Sequence, residues 1–322
     1  MTVVVTGGSG VVGAAVVRHL LASGETVAVL CRSERAAQIS EELGARPVPG
    51  DVLDPGSLRN AFAGADLVYH VAGLNIMCPD DPARLEEVNV LGSQHVVRAA
   101  DVAGCRRVVY TSSAATIGEA TGTVGDEDTV HRGWYLSEYE RSKHLAERAV
   151  FAMSTDVEIV AVNPSSVQGP GRSTGTAGLI LDVLSGRLPA LVDTRLSIVD
   201  IDDCARGHLA AAVHGVPGER YLLNSFTLTM REAVGLLEDI VGRSLGMRWV
   251  PGSIAAAGGT VMEAAARVRR RRPRICREMV RTLRHGHAYD GSRAERELGV
   301  RYTTPEDLLQ RLVAWFEAEG ML

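Results

Sequence analysis

The chain has 322 residues, a formal net charge of -5, and 46% hydrophobic and 23% charged residues, a composition typical of soluble globular proteins. Its length exceeds the roughly 250 to 300 residues that one core usually serves, so one large domain with an appended lobe, or two domains, is expected. The acidic balance argues against a nucleic-acid-binding surface, which needs a basic excess. No long apolar run is present, so no membrane-spanning segment is expected.

The cysteines are odd in number and form neither a CxxC pair nor a metal-ligand spacing, which is typical of reduced thiols. The chain begins directly in an apolar stretch without the pattern of a secretory signal peptide. We therefore expect a cytoplasmic protein with free thiols. The five cysteines are Cys31, Cys78, Cys105, Cys204 and Cys276.

Short runs rich in β-branched residues alternate with longer helical patterns over the first 165 residues. The runs are almost continuously hydrophobic, as strands buried on both faces must be. Helical patterns over 11–23 and 84–103 each end at a glycine, Gly24 or Gly104. This alternation predicts an α/β fold with a Rossmann-type, doubly wound parallel sheet. The predicted strands are residues 2–6, 26–30, 46–50, 66–70, 107–111 and 157–163.

A glycine-rich turn, "TGGSGVVG", joins the first strand to the first helix. Gly7 permits a tight turn, Gly10 lets backbone N–H groups approach a pyrophosphate, and Gly13 lets the helix pack closely on the strand. The positive end of the helix would then face the anion. This strand-turn-helix context predicts dinucleotide binding, with Ser9 in the same turn.

The end of the second strand indicates which dinucleotide binds. An NAD site places Asp or Glu there to accept from the ribose hydroxyls, whereas a 2′-phosphate needs a cation. Cys31 occupies that position, and Arg32 and Arg35 follow. NADPH is therefore favoured over NADH, the alternative being that both arginines are merely exposed. After the third strand, Asp51 is predicted either to accept from the adenine amino group or to be a turn residue.

A charged helix carries Tyr139 and Lys143 four residues apart, so both side chains project from one face. Lowering the pKa of a tyrosine from 10 to about 7 takes roughly 4 kcal/mol. A nearby ammonium and an oxidised nicotinamide can supply this term. We therefore expect Tyr139 to give its proton to a carbonyl oxygen while hydride reaches the carbon. Lys143 is expected to reach the nicotinamide ribose as well.

Ser113 follows the fifth strand, where its hydroxyl is predicted to donate to a developing oxyanion. One alternative is that Thr111, Ser112 and Ser113 are only turn residues. Another is that Tyr135 faces the site, although Tyr135 has no lysine four residues later. The sequence therefore favours Ser113 with Tyr139 and Lys143.

Together these motifs resemble the extended (atypical) short-chain dehydrogenase/reductase family of the NAD-dependent epimerase/dehydratase superfamily. They fall in family order over nearly the whole length, and the likeness is closest to the dihydroflavonol-reductase and 3β-hydroxysteroid-dehydrogenase-like branch. The resemblance implies Ser113, Tyr139 and Lys143 as the catalytic set, and it implies a homodimer. The motifs are "TGGSGVVG", "GDV", "YHVAG", "VNVLGS", "TSSAATIG", "YERSKHLAE", "NPSSVQGPG", "VDIDDCARGHLAA" and "SRAERELG". The predicted cofactor-binding residues are Gly7, Ser9, Gly10, Gly13, Arg32, Asp51, Val52, Ala72, Asn89, Tyr139, Lys143, Pro164 and Val167.

After residue 165 the alternation stops in a loop rich in Gly, Pro and Ser, and a smaller, mainly helical part follows. Residues 197–224 indicate a return to the sheet. We predict an NADP-binding Rossmann domain of residues 1–165 plus about 197–224. The substrate-binding lobe is predicted to comprise about 166–196 plus 225–322.

The predicted function is hydride transfer between NADPH and a carbonyl or secondary alcohol of a small organic substrate, with Tyr139 as general acid/base. Family dehydratases carry acids after the catalytic hydroxyl residue, whereas alanines follow Ser113 here, so dehydration is not expected. One alternative is an NAD-dependent nucleotide-sugar epimerase, in which Asn163 and Arg172 hold a diphosphate. Another is an NADPH-binding regulatory protein, which would not need the Ser, Tyr and Lys set.

Two remaining features of the sequence are weaker indications of function. His208 with His214, or His285 with His287, suggests a metal, but no cysteine or carboxylate completes a ligand set, so no metal is expected. The basic segment 267–277 is predicted to be a solvated helix face, the alternative being a contact to phosphate or an acidic substrate.

Overall fold

The computed structural model describes residues 2–254 and 276–322, and a large parallel sheet forms its centre. The first six predicted strands are present within about one residue of their expected bounds. The strands are β1 (Thr2–Thr6), β2 (Thr26–Cys31), β3 (Arg46–Pro49), β4 (Leu67–His70), β5 (Arg107–Thr111), β6 (Glu158–Pro164), β7 (Ser166–Gln168), β8 (Ala190–Leu191), β9 (Arg195–Asp200), β10 (Arg220–Leu223), β11 (Phe226–Thr229) and β12 (Arg248–Trp249).

Seven strands form the large sheet in the order β10-β6-β5-β4-β1-β2-β3, and each neighbouring pair is parallel. The chain enters at β1, moves outward to β3, and then crosses back to β4 on the other side of β1. This reversal opens a crevice at the carboxyl ends of β1 and β4, where doubly wound sheets bind ligands. The predicted fold class is confirmed.

Helices cover both faces of the sheet. The predicted helix over 84–103 is present as three consecutive pieces, because a π-helical turn (Glu87–Leu91) separates two α-helices. A short 3-10 turn (Ala114–Thr116) follows β5. The α-helices are α1 (Val11–Ala22), α2 (Glu34–Glu42), α3 (Pro55–Phe62), α4 (Pro82–Glu86), α5 (Gly92–Val102), α6 (Glu138–Phe151), α7 (Thr176–Leu184), α8 (Ile201–His214), α9 (Met230–Val241), α10 (Arg277–His285), α11 (Ser292–Leu298) and α12 (Pro305–Ala318).

The continuous hydrophobicity of β1 reflects burial on both faces. Val3 and Val5 pack with Val17 of α1 in one apolar cluster, whereas Val4 packs with Phe62 of α3 in another. Successive side chains of a strand point to opposite faces, so each cluster takes alternate residues. Full burial stabilises each valine by about 1.5–3 kcal/mol, and the two layers hold the strand ends in place.

A smaller sheet of β7, β9 and β11 lies beside the large one. The predicted return to the sheet over 197–224 is correct for β10, which pairs with β6, but β9 belongs to the smaller sheet. A separate apolar cluster joins α7, α9 and α12 through residues such as Leu184, Leu237 and Phe316.

The expectation of reduced thiols is wrong for one pair, because Cys78 and Cys276 form a disulfide. Their sequence separation is 198 residues, so spacing alone could not reveal a pair that only the fold brings together. Cys31, Cys105 and Cys204 are free and buried.

Two further expectations concern the surface and the membrane. Residues 267–275 of the predicted basic segment lie outside the described residues. None of the described helices combines the length and apolar character that crossing a membrane requires.

Candidate active site

The glycine turn lies at the crevice, between β1 and α1. Gly7 has a φ of +73°, and a Cβ there would lie 2.6 Å from the backbone nitrogen of Ala72. A Cβ on Gly13 would lie 2.1 Å from the carbonyl oxygen of Gly7, so the helix can approach the turn only with glycine. Gly10 caps α1 without a side-chain hydrogen bond. The first N–H groups of α1 thus have no side-chain cap and can bind an anion beside the partly buried Ser9.

At the end of β2, Cys31 and Arg32 point to different surroundings. Cys31 is buried, with its Sγ 3.3 Å from Ser40 Oγ. Arg32 is exposed, and its Nε lies 3.9 Å from Asp51 Oδ2. Asp51 Oδ1 accepts the N–H of Leu53 at 2.9 Å, so Asp51 is at least a turn residue. An exposed ion pair contributes only about 0–1 kcal/mol, which leaves Arg32 free to bind another anion.

The loop after β4 is held by Asn89, which lies in the π-helical turn. Its Oδ1 accepts the N–H of Leu74 at 2.7 Å, and its Nδ2 donates to Leu74 O and to Ser142 Oγ, both at 3.0 Å. Asn89 is 1% exposed. The side chain predicted to line the cofactor therefore ties this loop to α6. Val52 is likewise buried, and it packs in the sheet core.

A buried chain of hydrogen bonds that was not predicted from the sequence lies behind the same loop. His70 Nδ1 lies 2.7 Å from Thr6 Oγ1, and His70 Nε2 lies 2.9 Å from Ser93 Oγ. Burial lowers the pKa of His70 to about 3, so the ring stays neutral. Thr6 Oγ1 in turn accepts the N–H of Ala72. A histidine at the end of an otherwise apolar strand was the one available indication.

Ser113, Tyr139 and Lys143 come together at the carboxyl end of β5. Ser113 caps the 3-10 turn, and Tyr139 and Lys143 lie on successive turns of α6. Lys143 is 5% exposed, and its Nζ donates to Thr111 O at 2.8 Å and to Tyr110 Oη at 3.4 Å. Burial lowers the pKa of Lys143 to about 8.

The expected lowering of the Tyr139 pKa is not found in the chain alone. Burial raises the pKa of the Tyr139 hydroxyl, and a hydrogen bond with Ser113 and the charge of Arg172 oppose only part of that rise. Burial has the larger effect because it penalises the phenolate form directly. Tyr139 therefore keeps its proton at neutral pH.

Tyr135 faces other partners. Its ring centroid lies 5.1 Å from that of His131 and 5.7 Å from that of His144. Tyr139, by contrast, is the tyrosine that interacts with Ser113. The alternative that placed Tyr135 in the site thus lacks geometric support.

Asn163 is committed to the interior of the protein. Its Nδ2 donates to Glu147 Oε2 at 2.6 Å, to Thr116 Oγ1 at 2.9 Å and to Ser113 O at 3.2 Å, and the residue is fully buried. Asn163 thus supports the backbone of Ser113 and is not placed to hold a diphosphate.

The residues predicted beside the nicotinamide follow Asn163. Pro164 ends β6, and Val167 lies buried in β7, where its carbonyl oxygen accepts from Arg172 Nη1 at 3.0 Å.

The assumption that no carboxylate completes a ligand set is wrong for one of the two histidine pairs. His208 is buried, with its ring nitrogens 2.9 Å from Thr111 Oγ1 and 2.7 Å from Cys204 O. Next to His285 and His287, however, the fold places the Glu119 carboxylate. The carboxylate that the sequence lacked locally comes from a distant part of the chain.

Comparisons with known proteins identify the family of the chain. The profile of the NAD dependent epimerase/dehydratase family matches residues 3–223. The chain belongs to this family. It is 32% identical over 328 residues to sterol demethylase protein B of Methylococcus capsulatus, with all of both chains covered. It is 33% identical over 327 residues to a putative dihydroflavonol 4-reductase of Synechocystis sp., covering 98% of this chain and 94% of the relative.

A solved structure shows the same overall arrangement. The crystal structure of gox2253 superposes with a TM-score of 0.86 at 31% identity, covering 100% of this chain and 99% of the other. The predicted family, including its reductase branch, is confirmed. This member of the epimerase/dehydratase family is an enzyme of NAD(P)-dependent oxidoreduction, and the glycine turn at β1 lies in the matched region.

Proposed function

We propose that this protein is an NADPH-dependent reductase that transfers hydride between the nicotinamide and a carbonyl or secondary alcohol of a small organic substrate. One observation carries the proposal. Ser113, Tyr139 and the buried Lys143 converge at the carboxyl edge of the sheet, in the crevice that also contains the glycine turn. The match to a relative named as a reductase supports it.

In this proposal Tyr139 gives its proton to the substrate oxygen during reduction. Its raised pKa keeps the hydroxyl protonated at neutral pH, yet a phenol remains far more acidic than the alcohol that forms. Ser113 donates a hydrogen bond to the same oxygen as negative charge develops on it. In the oxidative direction the proton would move the other way.

Lys143 has a separate task. An ammonium has three N–H donors, and the described contacts of Nζ are to Thr111 O and Tyr110 Oη. A Cβ on Gly73 would lie 3.9 Å from Nζ, so the ammonium borders the loop after β4. The third N–H donor of Nζ is thus available to a ribose hydroxyl. The positive charge of the Lys143 ammonium favours the phenolate form of Tyr139 when the proton leaves.

The glycine turn and Arg32 are the parts of the chain that would bind the cofactor. The N–H groups at the start of α1 would hold the pyrophosphate, and a bound nicotinamide would supply or accept the hydride. Arg32 is exposed where an NAD site would present a carboxylate, and it can pair with a 2′-phosphate. The NADP preference rests on this guanidinium and on the buried position of Cys31.

The alternative functions remain outcomes of the test. The epimerase hypothesis used Asn163 and Arg172. The amide of Asn163 is bound to Ser113 O, Thr116 and Glu147, whereas the charge of Arg172 acts on Tyr139. A regulatory protein would not need the buried Lys143 beside Ser113 and Tyr139.

The test is fluorescence titration with NADPH and NADH, followed by a carbonyl screen. One charge-assisted contact is worth about 1.5–3 kcal/mol, so NADPH should bind about 10–100-fold more tightly than NADH. Arg32→Ala should remove most of this difference, whereas the exposed Arg18→Ala on α1 should leave it unchanged. Equal affinities that Arg32→Ala does not alter would contradict the NADP assignment.

The screen separates the alternatives. Turnover of a carbonyl with consumption of NADPH supports the reductase. Retained NAD with affinity for a nucleotide sugar would support an epimerase, and NADPH binding with no turnover would support a regulator.

A further inference from the structure

A carboxylate and two imidazoles meet where the loop after β5 contacts the C-terminal part of the chain. Glu119 Oε1 lies 2.6 Å from His287 Nδ1 and 3.3 Å from His285 Nε2. The three candidate ligand atoms lie within 4.8 Å of one another. The Glu119 and His285 side chains are 1% and 2% exposed, whereas that of His287 is 20% exposed. Two histidines and a glutamate form a ligand set that zinc accepts.

Hydrogen bonding within the cluster does not account for all of its polar atoms. The contact between Glu119 Oε1 and His287 Nδ1 satisfies one carboxylate oxygen. Glu119 Oε2 and His285 Nε2 are buried and make no hydrogen bond of acceptable geometry among the described residues, although His285 Nε2 lies 3.3 Å from Glu119 Oε1. Buried polar atoms without partners are uncommon, and a bound ion is one explanation for them.

The orientation of His285 is compatible with a metal ligand. Its Nδ1 lies 3.0 Å from Thr121 Oγ1. If Nδ1 carries the proton and donates to Thr121, Nε2 presents a lone pair toward Glu119. Metal-binding histidines commonly use their other ring nitrogen in this way, and the outer hydrogen bond fixes the ring.

One separation in the cluster equals that of neighbouring zinc ligands, and all three donor atoms lie within 4.8 Å of one another. Zinc bonds of about 2.0–2.2 Å place neighbouring ligands of a tetrahedron about 3.3 Å apart. The separation of Glu119 Oε1 from His285 Nε2 has this value. The shorter contact to His287 requires an outward shift of less than about 1 Å. Tyr289 Oη also lies 2.9 Å from His287 Nδ1.

We propose that Glu119, His285 and His287 form a zinc-binding site. The ion would join the loop that follows Ser113 to the segment between α10 and α11. These segments already touch, because the N–H of Gly125 donates to Ala288 O at 2.9 Å. Zinc would therefore hold the C-terminal part of the chain against the catalytic side of the sheet, as a structural ion that takes no part in hydride transfer.

The test is zinc binding by the full chain, first as purified and then after a chelator and dialysis against micromolar zinc. Elemental analysis should give one zinc per chain. His287→Ala, and Glu119→Gln, which keeps the size of the side chain, should lower the affinity by more than about 100-fold, because removing a ligand exceeds the loss of an outer partner. Thr121→Val, which removes only the outer hydrogen bond, should weaken binding by about 10–100-fold.

Three controls make the result specific. His214→Ala, at an exposed position, should bind zinc as the parent does. Cys78 and Cys276 lie with Glu278 in a second cluster of donor atoms, so a Cys78→Ser, Cys276→Ser variant should also keep its zinc. NADPH binding by every variant shows that the chain is folded. The proposal fails if the parent binds no zinc, if His287→Ala retains it, or if only the cysteine variant loses it.

Discussion

The sheet region, residues 2–223, and the C-terminal region, residues 225–322, are built in different ways. In the first half of the sheet region each of the strands β1 to β4 leads into a helix, and the glycine turn lies within the first of these units, although Gly7 also packs against Ala72. The described part of the C-terminal region is fixed by distant partners. Thr303 N–H donates to Asp203 Oδ2 at 2.6 Å, and Asn224 Nδ2 donates to Tyr289 O at 2.8 Å. The first region thus contains the candidate site, and the described part of the second is attached to it by long-range contacts.

The largest expected effect is that of replacing Tyr139, which tests whether the proton donor lies in the sheet region. Tyr139→Phe should lower kcat for carbonyl reduction by about 10²–10⁴-fold, because it removes the proton donor. NADPH affinity should stay within a few-fold of the parent value. Steady-state kinetics and a fluorescence titration measure the two quantities.

Tyr135→Phe is the matched control, since that ring packs against His131 and His144. It should leave kcat nearly unchanged. Equal losses of kcat in the two variants would show that the tyrosines act through packing. Tyr139 would then not be the proton donor, and the chemistry could not be assigned to the sheet region on this ground.

The same division explains what the sequence could reveal. The turn from Gly7 to Gly13 and the spacing of Tyr139 and Lys143 are local patterns, and a local pattern can be read without knowing the fold. Ser113 could also be predicted, because it lies two residues after an apolar strand. Nothing in the sequence indicated that Asn89 would bind Leu74 and Ser142.

Long-range pairings were out of reach for the same reason. The Cys78–Cys276 disulfide and the approach of Glu119 to His287 join residues 198 and 168 positions apart. The raised pKa of Tyr139 arises from burial, and burial depends on the packed structure. Spacing predicted which residues meet in the crevice but not how their surroundings shift their protonation.

A glycine pair sharpens the comparison between the regions. Gly13→Ala would place a Cβ 2.1 Å from Gly7 O, so it should destabilise the fold by about 1–3 kcal/mol through overpacking and weaken NADPH binding. Gly235→Ala lies in α9, where a Cβ meets nothing within 4 Å. It should stabilise by up to about 1 kcal/mol, because alanine is the better helix former.

Chemical denaturation and NADPH titration of both variants provide the measurement. A Gly13→Ala protein as stable as the parent, with normal NADPH affinity, would mean that the close approach of α1 to the turn is not required. A Cβ would then be tolerated at Gly13 in the sheet region as well as at Gly235 in the C-terminal region.

The smallest expected effect is the pH dependence of reduction, which depends on Tyr139 and the buried Lys143 of the sheet region. Burial raises the pKa of Tyr139, so this residue stays protonated through neutral pH. Burial lowers the pKa of Lys143 to about 8. As pH rises, the Lys143 ammonium therefore loses its proton before the Tyr139 hydroxyl does. The kcat/KM for reduction should therefore be level below about pH 7 and decline above about pH 8, by up to tenfold per unit.

Lys143→Arg provides the control for that assignment, because a guanidinium keeps its charge throughout this range. In that variant the decline should move to higher pH even if the maximum rate falls. A parent profile that stays level to pH 10, or a decline that Lys143→Arg leaves in place, would assign the titration to another group. Because burial sets both pKa values, the profile reports on the packing of the crevice as well as on its chemistry.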